Sequence, residues 1–204
     1  MLLEYFKAKG LLEKYGIESV ESKYVKNWKE ASDFAKGKPI ALKVLSEKEL
    51  HKSKAGLVKL GLEGDSGIRK AYSELETKAA KLKPCNIIAQ KIAEKGIEII
   101  IGGREDPQIG KLVLIGLGGI YVETFKDFAL RVCPITRYDA TEMLDQLKSK
   151  NVITYNGKST EILVSLLLKA SKLLSGNPSI NELDLNPVII RENGYSIVDI
   201  RVLE

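Results

Sequence analysis

The chain has 204 residues, of which 44% are hydrophobic, and its formal net charge at pH 7 is +5. This length and composition allow one sizeable domain or two small lobes, and the interspersed charges favour anionic ligands only weakly. Cys85 and Cys133 are too far apart in sequence to suggest a disulfide framework or a zinc site. This use of cysteine fits a reducing cytosol, and no apolar run approaches the ~20 residues that cross a bilayer, so the sequence predicts a soluble, cytoplasmic protein.

Hydrophobic periodicity predicts that helices and strands alternate in the first part of the chain. Gly16 is a natural helix stop. Asp65 or Ser66 can cap a later helix, which Pro84 prevents from continuing. The predicted elements are helices up to residue 16, over 27–35 and up to residue 82, an extended piece over 17–25, and strands over 40–45, 57–60 and 86–92.

The second part of the chain predicts an antiparallel meander, two helices and a closing hairpin. Glycine pairs and Asp106-Pro107 separate the strands of the meander, and Asn193-Gly194 is a strong signal for a tight turn. The order of elements is α+β, with a hinge near 90–96 between lobes over 1–90 and 91–204. The predicted elements are strands over 97–101 and 111–116 and near 122 and 130, helices over 139–149 and 160–174, and strands over 183–191 and 195–202.

Lys43 and His51 are the first candidates for chemistry. Lys43 interrupts an apolar strand, where a buried ammonium group is costly without an anion and can hold phosphate oxygens. The alternative is an edge-strand lysine whose tip reaches water. His51, in a polar loop, can act as a nucleophile toward phosphorus, or it can be an ordinary solvated loop residue.

A glycine-rich turn and the closing hairpin provide further candidates. Gly116-Leu117-Gly118-Gly119 can bring backbone amides close to an anion, or it can simply turn tightly between two strands. In the hairpin, Asn186 and Asp199 are predicted to lie opposite each other, and their oxygens suit Mg²⁺. The alternative is a pair of satisfied polar residues near a sheet edge that Pro187 marks.

Several segments together resemble the motif series of one family. It is the ATP-grasp β subunit of ADP-forming acetyl-CoA synthetases, or NDP-forming acyl-CoA ligases, which is related to the succinyl-CoA synthetase β subunit. The similar segments keep the family's order over nearly the whole chain. They are Lys43, His51-Lys52-Ser53 and the stretches 98–102, 105–110, 116–123, 182–187 and 198–201.

The resemblance implies an ATP-grasp fold, in which two α+β lobes hold a nucleotide between them. It also implies the reversible reaction acyl-CoA + ADP + phosphate giving acid + CoA + ATP, with His51 as the histidine that carries the phosphoryl group. Asn186 and Asp199 match the Mg²⁺ ligands, and ATP or ADP is the implied substrate. An α subunit with CoA-binding and ligase domains is the implied partner, in an α2β2 assembly. The residues that match nucleotide-binding positions are Lys43, Gln90, Lys91, Ile92, Glu98, Gly118 and Gly119.

The chain departs from the family's pattern at three places. Lys54 stands where the family usually has an acidic residue, and Leu57 stands in place of a glycine. Tyr155-Asn156-Gly157-Lys158 replaces a Gly-x-Arg-Gly motif, so that Lys158 can supply the charge of the arginine but not its planar fork. These differences leave a noncatalytic nucleotide-binding subunit as an alternative. A nucleic-acid-binding module, suggested only by the basic charge, is disfavoured because aromatic residues are just 6%.

Overall fold

The computed structural model describes residues 1–46, 56–82, 84–119 and 127–204. They form two compact units, one of residues 20–92 and one of residues 1–19 together with 93–204. In chain order the elements are α1 Tyr5–Lys14, β1 Ser22–Tyr24, α2 Trp28–Ala35, β2 Ile40–Ser46, β3 Val58–Leu62, α3 Gly64–Ala79, β4 Cys85–Lys91, β5 Ile97–Asp106, β6 Gly110–Leu117, β7 Phe128–Val132, α4 Arg137–Asp145, α5 Lys150–Ile153, α6 Thr160–Gly176, β8 Glu182–Arg191, β9 Gly194–Ile197 and β10 Ile200–Leu203.

The smaller unit is an antiparallel sheet against which helices α2 and α3 pack. Within the described residues, the strand order is β1-β4-β2-β3. Ile40, Leu42 and Val44 alternate along β2 and face the helices, because successive side chains of a strand point to opposite faces. The helices contribute apolar residues to the same core, among them Ala31, Phe34, Ile68, Ala71, Tyr72 and Leu75.

The sequence predicts the start of one helix in this unit correctly and the start of another incorrectly. The Asn27 side chain accepts a hydrogen bond from the Glu30 N–H at 3.0 Å, so helix α2 begins where the sequence predicts. The predicted cap of α3 at Asp65 or Ser66 is wrong, because both residues lie inside its first turn. Glu63 occupies the cap position and makes no side-chain cap hydrogen bond.

The larger unit is a second antiparallel sheet, with the strand order β10-β8-β5-β6-β7 among the described residues and β9 also paired with β8. Helix α6 packs against β5 and β6, helix α4 packs against β7, and helix α1 packs against β10. Alternate strand residues face this core and are fully or almost fully buried. They include Ile99, Ile101, Val113, Ile115, Leu183, Leu185, Val188 and Ile190.

Two polar contacts position helices α4 and α5. Thr136 and Asp139 form a capping box, in which each side chain bonds the backbone N–H of the other residue. Helix α4 therefore begins two residues before the predicted start. The Asp127 carboxylate accepts hydrogen bonds from the N–H groups of Lys148 and Ser149, at 2.9 and 2.8 Å, and so anchors the turn that precedes α5.

The N-terminal segment belongs to the larger unit. The Leu3 N–H donates to the Val202 carbonyl oxygen at 2.8 Å, and Leu2 forms an isolated bridge with Leu203. This pairing places α1 beside β10, whereas the sequence division assigned the first helix to the lobe over 1–90. The boundary after Ile92 lies within the predicted hinge region of 90–96.

Other predictions about the fold are confirmed. The fold class is α+β, and the described strands of the meander, β5 to β7, are antiparallel. The strand predicted near residue 122 lies outside the described residues. None of the helices in the described part of the chain combines the length and the apolar composition that crossing a bilayer would need.

Candidate functional site

Lys43 and Gln90 are buried polar residues on the sheet of the smaller unit. Lys43 is 5% exposed and Gln90 is 1% exposed. The register pairs Lys43 with Ile88 and Ala41 with Gln90, so the two polar residues are diagonal neighbours on one face. Lys43 alternates with Leu42 and Val44 of the core, which places it on the face away from α2 and α3. The sheet thus brings an ammonium group and an amide group to one buried surface.

Lys91 has a structural role that the sequence analysis missed. Its Nζ donates to the carbonyl oxygens of Phe34 and Ala35, at 2.6 and 3.2 Å, and lies 4.6 Å from the centroid of the Phe34 ring. It therefore stabilises the C-terminus of α2, where a positive charge is favourable. The Lys91 N–H donates to the Glu21 carbonyl oxygen at 2.9 Å. Ile92, the next residue that matches a nucleotide-binding position, is 44% exposed.

The closing hairpin places Asn186 opposite Asp199, as the sequence predicts. Leu185 pairs with Ile200 on one side, and the Val198 N–H donates to the Pro187 carbonyl oxygen at 3.0 Å on the other. Leu185 and Ile200 both face the core. The next residues, Asn186 and Asp199, therefore point to the opposite face of the sheet.

An irregularity in the sheet coincides with this pair. Between the pairs Ile99↔Val188 and Ile101↔Leu185, two residues of β8 stand opposite one residue of β5. Pro187, one of the two, has no N–H to contribute to a ladder. Bulges of this kind redirect side chains and interrupt local pairing. The result here is an exposed Asn186 side chain in the middle of a strand.

Gly118 and Gly119 pack closely against Glu98. The Gly118 N–H donates to the Glu98 carbonyl oxygen at 2.8 Å, and a Cβ on Gly118 would lie 2.9 Å from backbone atoms of Glu98 and Ile99. Gly119 has φ +72°, and a Cβ there would lie 2.9 Å from Glu98 Oε2. The interpretation of these glycines as free anion-binding amides is therefore wrong for Gly118. The glycines instead allow the chain to pass beside the Glu98 carboxylate.

The donor set at Asn186 and Asp199 suits a cation that takes few ligands from the protein. No group of three or more histidine, cysteine, aspartate or glutamate residues that could hold a metal ion occurs within residues 1–46, 56–82, 84–119 and 127–204. Mg²⁺ typically binds one or two carboxylates and keeps its other positions for water and substrate phosphates. One carboxylate and one amide oxygen, on the face of the sheet away from the core, fit that pattern.

His51 and Lys54 lie outside the described residues. The structure does describe Leu57, the other loop position at which the chain departs from the family's pattern. Leu57 is 2% exposed and belongs to the core of the smaller unit. The Leu57 carbonyl oxygen accepts a hydrogen bond from the Val44 N–H at 2.9 Å. A large apolar residue at this position therefore ties the end of the loop to strand β2.

The turn at 155–158 docks onto the closing hairpin. Tyr155 and Asn156 have φ values of 50° and 54°, in the left-handed region that favours glycine. The Tyr155 hydroxyl donates to the Ile190 carbonyl oxygen at 3.2 Å. Lys158 forms an exposed ion pair with Glu192. Lys158, whose charge was expected to replace that of the family's arginine, thus pairs with a residue of the hairpin turn.

Comparison with known families decides the classification. A family model described as an ATP-grasp domain matches residues 1–203. The chain belongs to the ATP-grasp domain family. The fold predicted from the motif series is thereby confirmed.

Two relatives differ in how much of their length this ATP-grasp chain covers. The subunit β of ADP-forming acetate–CoA ligase II from Pyrococcus furiosus is 35% identical over 215 residues, which include 99% of this chain and 91% of that subunit. The ADP-forming acetate–CoA ligase I of Archaeoglobus fulgidus is 39% identical over 208 residues, which include 96% of this chain but 30% of that protein. The chain is therefore homologous to a separate β subunit and to less than a third of a longer ligase.

Solved structures of one enzyme agree with this assignment. The dinucleotide-forming acetyl-coenzyme A synthetase 1 of Ca. Korarchaeum cryptofilum, in complex with coenzyme A, Ca-AMPCP and HgCl+, superposes with a TM-score of 0.90 at 35% identity, covering 100% of this chain and 92% of that one. A second complex contains coenzyme A and Mg-AMPPCP, with a phosphohistidine segment that points towards the nucleotide binding site. Its TM-score is 0.83 at 34% identity, covering 99% of this chain and 92% of that one.

Proposed function

We propose that this chain is the nucleotide-binding β subunit of an ADP-forming acid–CoA ligase. With an α partner it would catalyse the reversible conversion of acyl-CoA, ADP and phosphate to acid, CoA and ATP. Homology to a subunit named β in such a ligase supports the proposal. The structural observation that carries it is the placement of Asn186 opposite Asp199 on the face of the larger sheet away from its core.

Asn186 and Asp199 are proposed to bind Mg²⁺ through an amide oxygen and a carboxylate oxygen. When bound, the ion would neutralise charge on the phosphates of the nucleotide. The Mg-AMPPCP complex of the Korarchaeum enzyme supports this assignment. The asparagine contributes an oxygen without adding a second negative charge next to the phosphates.

The remaining nucleotide contacts are assigned by residue type. The buried ammonium group of Lys43 is proposed to bind phosphate oxygens as a point charge, and Gln90 and Ile92 are proposed to lie near the base. Glu98, with Gly118 and Gly119 beside it, is proposed as a further nucleotide contact. Its exposed carboxylate can accept hydrogen bonds from hydroxyl groups of a ligand.

His51 is proposed to carry the phosphoryl group to ADP. In that step the P–N bond to the imidazole breaks, a terminal oxygen of ADP forms the new P–O bond, and the imidazole nitrogen takes up one proton. The phosphohistidine segment of the Korarchaeum structure supports the chemistry. The α partner is proposed to bring CoA-binding and ligase domains in an α2β2 assembly.

Calorimetric titration with ADP, in the presence and absence of Mg²⁺, tests the metal and nucleotide assignment. Asp199→Asn should weaken the binding of ADP with Mg²⁺ by about tenfold or more, because one charge-assisted contact is lost. Its affinity for Mg²⁺-free ADP should stay close to that of the wild type. Asp33→Asn is the matched control, since it removes the same charge from an exposed position of α2. Equal affinities of the two variants for ADP with Mg²⁺ would refute the assignment.

A further inference from the structure

Arg201 lies on the same sheet face as Asn186 and Asp199. Ile200 and Val202 are buried in the core, so Arg201 between them points to the opposite face, as Asp199 does. The register pairs Arg201 with Asp184, one row along the hairpin from Asn186 and Asp199. A guanidinium group therefore stands next to the proposed metal site.

Arg201 is half-buried, and its Nε is a buried donor. Within the described part of the chain this Nε has no hydrogen-bond acceptor. The guanidinium groups of other half-buried arginines of the same sheet do have acceptors: Arg131 Nη1 donates to the Leu130 carbonyl oxygen at 2.8 Å, and Arg191 Nε forms an ion pair with Glu94 at 3.4 Å. A buried donor without an acceptor is costly, so its retention calls for an acceptor other than the described residues.

We propose that Arg201 binds a phosphate group of the nucleotide held at Asn186 and Asp199. This inference rests on the proposed function and adds a residue to its binding site. The planar fork of a guanidinium group matches the spacing of phosphate oxygens and can bind two of them at once. The bound phosphate would accept hydrogen bonds from this guanidinium group. It would also be fixed between a positive side chain and the proposed metal ligands.

Inorganic phosphate offers the same chemistry as a nucleotide phosphate, and the test separates the two sources. Calorimetry is performed with ADP and Mg²⁺, and separately with inorganic phosphate, on the wild type, Arg201→Gln, Arg201→Lys and Arg137→Gln. Arg137 is the matched control, because it is exposed on α4 and pairs only with Glu161 among the described residues. Thermal unfolding of each variant is recorded alongside.

Arg201→Gln should weaken the binding of ADP with Mg²⁺ roughly 10- to 100-fold, the range for a hydrogen bond to a charged group. Arg201→Lys should recover only part of the loss, since it keeps the charge without the fork. Arg137→Gln should bind within about twofold of the wild type. The unfolding temperature of Arg201→Gln should not fall, because the removed Nε makes no bond within the described protein.

Two results would overturn the inference. Arg201→Gln could bind ADP with Mg²⁺ as tightly as Arg137→Gln does, or it could lose affinity for inorganic phosphate alone. A wild-type protein that binds no nucleotide would instead refute the proposed function itself. Failure of the arginine assignment is therefore distinguishable from failure of the function.

Discussion

Replacement of Lys91 by methionine removes the positive charge at the end of helix α2 and keeps an unbranched side chain. In the wild type, Lys91 Nζ donates to the carbonyl oxygens of Phe34 and Ala35, at 2.6 and 3.2 Å, and approaches the Phe34 ring to 4.6 Å. The methionine can still cover the ring. The change thus removes the polar contacts and retains most of the packing.

The expected loss of stability follows from these contacts. A hydrogen bond from a charged donor contributes about 1.5–3 kcal/mol, and a favourable charge at a helix end contributes about 0.3–1 kcal/mol. Lys91 is partly exposed, so solvent screens the interaction and the low end of the range applies. We expect Lys91→Met to lower the free energy of unfolding by about 2 kcal/mol. For a unit of 60–100 residues that unfolds by itself, this is a fall in Tm of roughly 8–16 °C.

Urea unfolding followed by circular dichroism measures the effect. Lys38→Met is the matched control, because Lys38 is exposed just after the same helix. We expect this control to lie within about 0.5 kcal/mol of the wild type. Equal unfolding midpoints of the two variants would refute the capping role of Lys91. Its ammonium group would then be available to a ligand.

Three further changes probe the larger unit and the turn after α2. Burial alone would raise the pKa of Asp127, but hydrogen bonds from the backbone N–H groups of Ser149 and Lys148 hold it below its usual range. Its stabilising effect is therefore present above the unfolded-state pKa and lost as the pH falls through the folded one. Asp127→Asn should lower the free energy of unfolding by about 1 kcal/mol at pH 7 and by progressively less in acid, as measured by urea unfolding at several pH values. Lys36→Gly should raise the free energy of unfolding by about 0.5–1 kcal/mol, because Lys36 ends α2 with φ 51°; an unchanged urea midpoint would contradict this. Gly118→Ala should lower the free energy of unfolding by about 1–3 kcal/mol, because the new methyl group clashes with Glu98. Gly10→Ala is the control in the same unit and the same assay, and it should not destabilise the protein because the space around Gly10 is open.

Local signals in the sequence were sufficient for most helices and strands. Asn27 determines a helix start at the predicted position through interactions within a few residues. The hairpin turn lies one residue earlier than predicted, because Glu192 and Asn193 form it and Gly194 already pairs with Arg191. The start of α4 was also encoded locally. The spacing of Thr136 and Asp139 is a capping-box signal that the prediction overlooked.

Features that depend on strand register could not be predicted from local sequence. The attachment of α1 to the larger unit depends on the pairing of Leu3 with Val202, about 200 residues away. The contacts of Lys91 with α2 and of Gly118 with Glu98 likewise require distant segments to meet. In contrast, Asn186 and Asp199 were predicted correctly as neighbours, because a tight turn sets the register of the strands that it joins.

Incubation of the protein with γ-labelled ATP and Mg²⁺ tests directly whether His51 carries the phosphoryl group. We expect label on the protein that is labile in acid and stable in base, that is absent from His51→Ala, and that is reduced in Asp199→Asn. Addition of ADP should remove the label and form labelled ATP. Absence of label from a wild-type protein that binds ATP, or equal label on His51→Ala, would contradict the proposed transfer. The first of these results would favour a noncatalytic nucleotide-binding subunit.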